Sequence, residues 1–204
     1  MQLPELTDSS PTVASSTGWL AGIAHEISPN FGSRPAGVLI DTVIVHSISL
    51  PPGQFGGMEV HDLFLNRLNW QAHPYYQQIQ GIAVSAHFFI RRTGQVTQFV
   101  SCEDRAWHAG ISHFQGRDNC NDFSIGIELE GLEGDAFEPA QYARLADLLQ
   151  QLRQTYPIDY VVGHEHVAPG RKNDPGVGFD WRRLQATVAW PLQCFPVLSN
   201  LSQV

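Results

Sequence analysis

Basic residues are scarce in this chain: 12 Lys and Arg stand against 20 Asp and Glu, a formal charge of −8 over 204 residues. That balance excludes a nonspecific grip on nucleic-acid phosphates or on an anionic membrane, so any anionic ligand has to be met by a local cation. Long apolar runs are missing as well, and no stretch approaches the ~20 residues needed to cross a bilayer. The stretch from Met1 to Gly18 has no Lys or Arg and no apolar run, only a Ser-, Thr- and Pro-rich lead. An ordinary secretory signal is therefore not expected, and the location read from the sequence is cytoplasmic. Cysteine is limited to Cys102, Cys120 and Cys194. An odd number at unrelated spacings, with no C-x-x-C pair, points to reduced thiols rather than to disulfides or a thiolate metal site.

What is present suits a single folding domain. Hydrophobic residues make up 43% and charged residues 16% of the chain, an ordinary balance for a globular protein with room for one substantial core. The expected organisation is a flexible arm over 1–18, a domain over 19–190 and a C-terminal tail over 191–204. "VLIDTVIVH", Val38 to His46, reads as a strand covered on both faces. The Pro- and Gly-rich "SISLPPGQFGG" then marks a loop ahead of the helical spacing of Val60, Leu63, Phe64 and Leu68. "VSAHFFI" and "QVTQFV" flank "RRTG" as a hairpin.

"SIGIELE", Ser124 to Glu130, alternates so that Gly126, Glu128 and Glu130 share one face. "QYARLADLLQQLRQTYP" carries a helical stripe of Tyr142, Leu145, Leu148, Leu149 and Leu152, stopped by Pro157. "YVVG" reads as a short buried strand, and Asp180 as the cap of a last helix through Trp181, Leu184 and Val188. Strands mixed with helices predict an α/β fold, a central mixed β-sheet flanked by helices.

His46 and His164 each follow an apolar strand, the position where ligands bind in open α/β sheets. Asp174, on a Pro- and Gly-bounded loop, is placed to return to them. Two neutral imidazoles, one carboxylate and an open fourth position make a hydrolytic zinc site. Spacing alone does not choose the ligands, and His166 and His87 are rivals. Glu128 is the candidate base for a metal-activated water, with a solvated strand face as the alternative. Lys172 and Arg171 are candidates to neutralise an oxyanion or a substrate carboxylate. Trp107 and His108 in "RAWHAG" suit a sugar or peptide wall.

Four motifs, "VHSISLPPGQFGG", "VSAHFFIRRTGQVTQFV", "RAWHAGISHFQGRDNCNDFSIGIELEG" and "GHEHVAPGRKNDPG", resemble the zinc N-acetylmuramoyl-L-alanine amidases of the amidase-2 type, in particular the cytosolic 1,6-anhydromuramoyl-peptide amidases of Gram-negative bacteria. The likeness runs from about Trp19 to Leu184. It implies the fold shared with peptidoglycan recognition proteins, one zinc ion held by His46, His164 and Asp174, Glu128 as catalytic acid-base and Lys172 as oxyanion stabiliser; His166 and His87 are then not ligands. Trp107, His108, Arg171 and Ser47 are the expected substrate contacts.

The implied reaction cleaves the amide between the lactyl group of (1,6-anhydro-)N-acetylmuramic acid and L-alanine, in cell-wall recycling, by a monomer whose partner is a small muropeptide. An amidase acting on intact peptidoglycan and a non-catalytic muropeptide-binding module are the alternatives. Ser47 stands where the pattern commonly has asparagine, and Ala83 and Asn119 where it often has arginine. An arginine offers a carboxylate a bidentate clamp that these residues do not supply.

Overall fold

The computed structural model describes residues 17–200, so the expected arm lies outside the described residues apart from Thr17 and Gly18. Those two are tied down: the Thr17 carbonyl accepts from Ser101 Oγ and the Gly18 carbonyl from the Cys102 N–H. The strands are β1 (Ala24–His25), β2 (Phe31–Ser33), β3 (Thr42–Ile48), β4 (Phe88–Ile90), β5 (Val96–Gln98), β6 (Asp104–Ala106), β7 (His113–Phe114), β8 (Arg117–Asp118), β9 (Ser124–Glu130) and β10 (Tyr160–Gly163). Six of them form one sheet in the order β1-β5-β4-β9-β3-β10, while β2 with β6 and β7 with β8 make two small ribbons. Only β4 with β5 is antiparallel in the large sheet, which makes it the mixed sheet expected.

The strand around His46 is displaced from its expected span. Residues 38–41 are diverted by hydrogen bonds from Val38 N–H to Pro35 and from Asp41 N–H to Phe123, and pairing continues past His46 to Ile48. The hairpin is shorter than "VSAHFFI" suggests because the Ser85 and His87 N–H groups bond Trp107 and Gly126 instead of ladder partners. β9 spans Ser124–Glu130 as read, but all seven residues are buried, Glu130 included. Its carboxylate accepts from the Gly56 and Arg92 N–H groups, which fastens the "PPGQFGG" loop and the β4–β5 turn to the sheet.

Helix α1 (Glu59–Phe64) and α2 (Pro74–Gln78) lie over a smaller apolar cluster that includes Leu50, Leu63, Phe64, Phe89 and Phe99. Helix α3 (Pro139–Thr155) buries Tyr142, Leu145, Leu148, Leu149 and Leu152 in the main core with Val43, Val45, Ile125 and Ile127. At its start the Glu138 N–H donates to Gln141 Oε1, and it ends where Tyr156, the residue before Pro157, is forced into extended backbone. After β10 come α4 (His164–Val167) and α5 (Trp181–Val188), the latter capped by Asp180, whose Oδ1 accepts from the Arg183 N–H at 2.9 Å. The expected tail is not a tail over its described part. A 3₁₀ turn (Leu192–Cys194) and α6 (Pro196–Asn200) follow, because Cys194, Phe195, Val197 and Leu198 are apolar enough to bury in the main core beside edge strand β10.

Candidate metal centre and active site

Parallel pairing of β3 with β9 sets His46 directly opposite Glu128, and pairing of β9 with β4 sets Glu128 opposite Phe89. Paired residues on parallel strands face the same side, so the register alone places an imidazole and a carboxylate together at the carboxyl end of the sheet. On the other flank β10 runs beside β3 and stops at Gly163, opposite Val45. His164 is the next residue and opens α4, so it stands beside His46. Asp174 is returned by a loop whose closure is hydrogen-bonded: Glu165 N–H donates to the Asp174 carbonyl at 2.9 Å, and the Arg171 and Lys172 N–H groups both donate to Ala168.

The three side chains form a nearly equilateral triangle. His46 Nδ1 and His164 Nδ1 are 2.9 Å apart, and each lies 3.1 Å from Asp174 Oδ2. A tetrahedral ion bound at ~2.0–2.1 Å spaces its donors about 3.3 Å apart, so the triangle matches one face of such a site to within a few tenths of an ångström. The donor chemistry agrees. His164 Nε2 lies 3.0 Å from the Ala109 carbonyl oxygen; a carbonyl only accepts, so Nε2 carries the proton and Nδ1 is a bare lone pair aimed at the triangle. A bare nitrogen held this close to a carboxylate oxygen calls for a cation between them. All three residues are buried, and they are the metal-capable His/Cys/Asp/Glu group found among the described residues.

Burial pushes the His46 imidazole down to about 4, with the neighbouring His164 acting in the same direction. Burial alone would raise Asp174, but its close contacts with the His164 and His46 rings outweigh it and hold the carboxylate well below its ordinary range. Both effects favour the protonation states that His46 and Asp174 would need to hold a metal ion at neutral pH. Glu128 goes the other way: burial raises its carboxyl well above the usual range, the Asp174 charge adds to this, and Lys172 opposes it. Its Oε2 is buried with no hydrogen-bond partner among the described residues. Such an atom is costly unless a ligand or water uses it.

His164, Asp174 and Glu128 line a cleft of ≈ 590 Å³. Its lining combines the apolar Leu50, Leu63, Tyr75, Ile79, Ile82 and Val84 and the ring of Trp107 with the charged Glu133 and Lys172. The Lys172 side chain makes no hydrogen bond or ion pair among the described residues; its backbone N–H is the group bonded to Ala168. Ser47 lines the same cleft, its Oγ buried with no hydrogen-bond partner among the described residues. His108 contributes to the lining, but its ring nitrogens face His46 Nε2 at 2.9 Å and Ser124 Oγ at 3.4 Å. Burial, then the neighbouring His46 and His87, hold it well below the ordinary histidine range. Both of its ring nitrogens are thus engaged within the protein, by His46 and Ser124. Arg171 is not in the lining. Its guanidinium donates to the carbonyls of Ala109 and Ile111, so it pins that loop.

The rival ligands are occupied elsewhere. His87 Nδ1 accepts from the Gly126 N–H at 3.0 Å, and His166 Nδ1 accepts from the Gly163 N–H at 3.0 Å. Of the departures, Ala83 is exposed between the lining residues Ile82 and Val84, and Asn119 sits at φ 56°, a left-handed conformation that asparagine tolerates well. Sequence reasoning passed over Asn121, Ser124 and the apolar wall. The positions of Tyr75, Ile79 and Ile82 follow helical spacing and were the available signal for that wall; nothing local in the sequence marks Asn121 or Ser124.

Residues 36–177 match the family described as N-acetylmuramoyl-L-alanine amidase. The 1,6-anhydro-N-acetylmuramyl-L-alanine amidase AmpD of Escherichia coli K12 is 47% identical over 174 residues, which cover 84% of this chain and 95% of that protein. A crystal structure of a Se-Met AmpD derivative superposes with a TM-score of 0.82 at 48% identity, covering 85% of this chain and 98% of its own. The E. coli amidase AmiD, in complex with the substrate anhydro-N-acetylmuramic acid-L-Ala-D-gamma-Glu-L-Lys, superposes with a TM-score of 0.54 at 26% identity, covering 76% of this chain and 60% of its own.

Proposed function

This chain belongs to the N-acetylmuramoyl-L-alanine amidase family, and from that premise we infer that it hydrolyses the amide bond joining the lactyl group of 1,6-anhydro-N-acetylmuramic acid to L-alanine in muropeptides, a step of cell-wall recycling. The observation that carries the reading is the pairing of His46 with Glu128 across β3 and β9, which sets an unpartnered carboxylate oxygen beside a three-donor metal triangle. We assign the ion as zinc, held by His46 Nδ1, His164 Nδ1 and Asp174 Oδ2, because two imidazoles and a carboxylate with an open position are the donor set of hydrolytic zinc sites. When bound, zinc supplies Lewis-acid polarisation of the scissile carbonyl and acidifies the attacking water.

The protein's own groups do the rest. Glu128 Oε2 takes the proton of the attacking water, and burial makes its carboxylate a stronger base than a surface glutamate. The same carboxyl then returns the proton to the alanine nitrogen, since an amine departs readily only once protonated. The Lys172 ammonium, which lines the same cleft, offsets negative charge developing on the carbonyl oxygen. Trp107 and the apolar wall take the sugar and peptide faces, while Ser47 Oγ supplies a polar contact. Arg171 and His108 drop out of the substrate set because their polar atoms are spent on the loop and on His46.

We take the small muropeptide as the sole partner of a monomer; the acidic net charge supports the exclusion of nucleic acid and of anionic membrane. Among the described residues no helix is long and apolar enough to cross a membrane. Three free, buried cysteines support a reducing, cytoplasmic location. Mass spectrometry of purified, zinc-supplied protein incubated with an anhydromuramoyl tripeptide tests the reading: free stem peptide and anhydromuramic acid are expected, and intact ligand after long incubation would overturn it.

A further inference from the structure

The ring nitrogens of the two histidine ligands that face away from the triangle both end on one short segment. His164 Nε2 donates to the Ala109 carbonyl, and His46 Nε2 meets His108 Nδ1 at 2.9 Å. The second contact joins two imidazoles, so its direction is set by what lies beyond. Ser124 Oγ lies 2.5 Å from the Cys120 carbonyl oxygen and 3.4 Å from His108 Nε2. A hydroxyl has one proton and a carbonyl has none to give, so Ser124 donates to Cys120 and offers His108 only a lone pair. His108 therefore donates from Nε2, its Nδ1 is bare, and His46 must donate into it. Two backbone carbonyls, of Ala109 and Cys120, thereby dictate the tautomers of both ligands and leave both Nδ1 atoms free for a cation.

The segment that does this is clamped. Asn121 Oδ1 accepts from the His108 N–H at 3.1 Å and from the Ala109 N–H at 2.8 Å. Arg171 Nη2 adds a donor to the Ala109 carbonyl at 2.6 Å. The ring is seated against bare strand backbone: a Cβ on Gly126 would fall 2.4–2.6 Å from three atoms of the His108 imidazole. We propose that His108 is a positioning residue of the metal centre, a neutral acceptor locked by Ser124 that holds His46 as the Nε2–H tautomer and so presents Nδ1 to zinc. Ligating histidines usually donate to a carboxylate, a carbonyl or water; here a third imidazole takes that place, giving a buttress without adding negative charge.

The proposal rests on the zinc reading of the triad, and its test separates the two. Long-range ¹H–¹⁵N correlation spectra of the zinc-loaded protein report which ring nitrogens carry protons. His46 and His108 are each expected to be protonated at Nε2 alone, and a proton on His108 Nδ1 would overturn the proposal. Zinc affinity, measured by competition with a chromophoric chelator, should fall roughly 10- to 100-fold in His108→Leu and in Ser124→Ala, the range for lost outer partners of metal ligands. His108→Asn, which puts an amide oxygen near the place of Nδ1, should recover most of that loss. Equal losses in the Leu and Asn variants would reduce His108 to packing and reject the idea, as would undiminished affinity in His108→Leu. Wild-type protein that takes up no zinc would instead reject the functional reading, and the ring tautomers of the metal-free protein still decide the direction of the His46–His108 bond.

Discussion

Burial places opposing demands on Glu128, because the same desolvation that strengthens it as a base penalises its charge in the resting fold. Its folded-state pKa lies above the unfolded value, so its contribution to stability is full below the unfolded pKa and is lost as pH rises. Glu128→Gln is therefore expected to raise the melting temperature of the metal-free protein at pH 7.5, and the advantage should shrink toward pH 4.5; calorimetry at the two pH values measures it. The variant should keep its zinc and lose turnover by roughly 10²–10⁴-fold, the usual worth of a positioned acid-base group. Asp174→Ala separates the other role: elemental analysis should show zinc lost or weakly held, since two imidazoles remain where three donors stood. Spacing in the sequence nominated His46, His164 and Asp174 but left His87 and His166 open, and only the resemblance chose among them. The physical reason is that ligand choice is fixed by strand register and by which ring nitrogens the backbone has claimed, as Gly126 N–H claims His87 and Gly163 N–H claims His166. Neither property is written in local sequence.

Elements were legible where hydrophobic period and punctuation agree. The α3 stripe ends at the predicted Tyr156–Pro157 boundary, β9 has its read span, and Asp180 caps α5 as expected. Boundaries failed where tertiary hydrogen bonds compete with the ladder, as for residues 38–41 and for Ser85 and His87. The C-terminal segment failed for a different reason: "CFPVL" is too short to show a period, and its burial depends on a sheet edge that only the assembled fold exposes. Helix α3 braces the face of the sheet opposite the metal centre through Leu145, Leu148, Leu149 and Leu152, all at most 1% exposed. Leu149→Ala should cost about 2–5 kcal/mol, the range for emptying a buried leucine site. Urea unfolding with an unchanged m-value would read that loss, and zinc affinity of the still-folded variant should be unaltered, because no α3 side chain reaches the triangle.

At the scale of the whole molecule the buried titratable groups combine into a pH profile with two signs. His46, His87 and His108 are all held below the ordinary histidine pKa, first by desolvation and then by neighbouring cations or imidazoles. Each binds a proton on unfolding but not in the fold, so each contributes stability that is complete above about pH 6.5 and drains away as pH falls through its folded value, about 4 for His46. Glu128 acts oppositely, taking up its proton in the fold, and partly cancels one histidine in the same window. The metal-free protein is therefore expected to lose stability steeply between about pH 6.5 and 4.5, with more than one proton taken up per molecule unfolded. Glu128→Gln should make that dependence steeper by removing the opposing group. Chemical denaturation at four or five pH values gives the slope directly. A flat profile would mean that these imidazoles meet water in the folded state, and with it the dry, tautomer-locked centre built on β3, β9 and the His108–Ala109 segment would have to be abandoned.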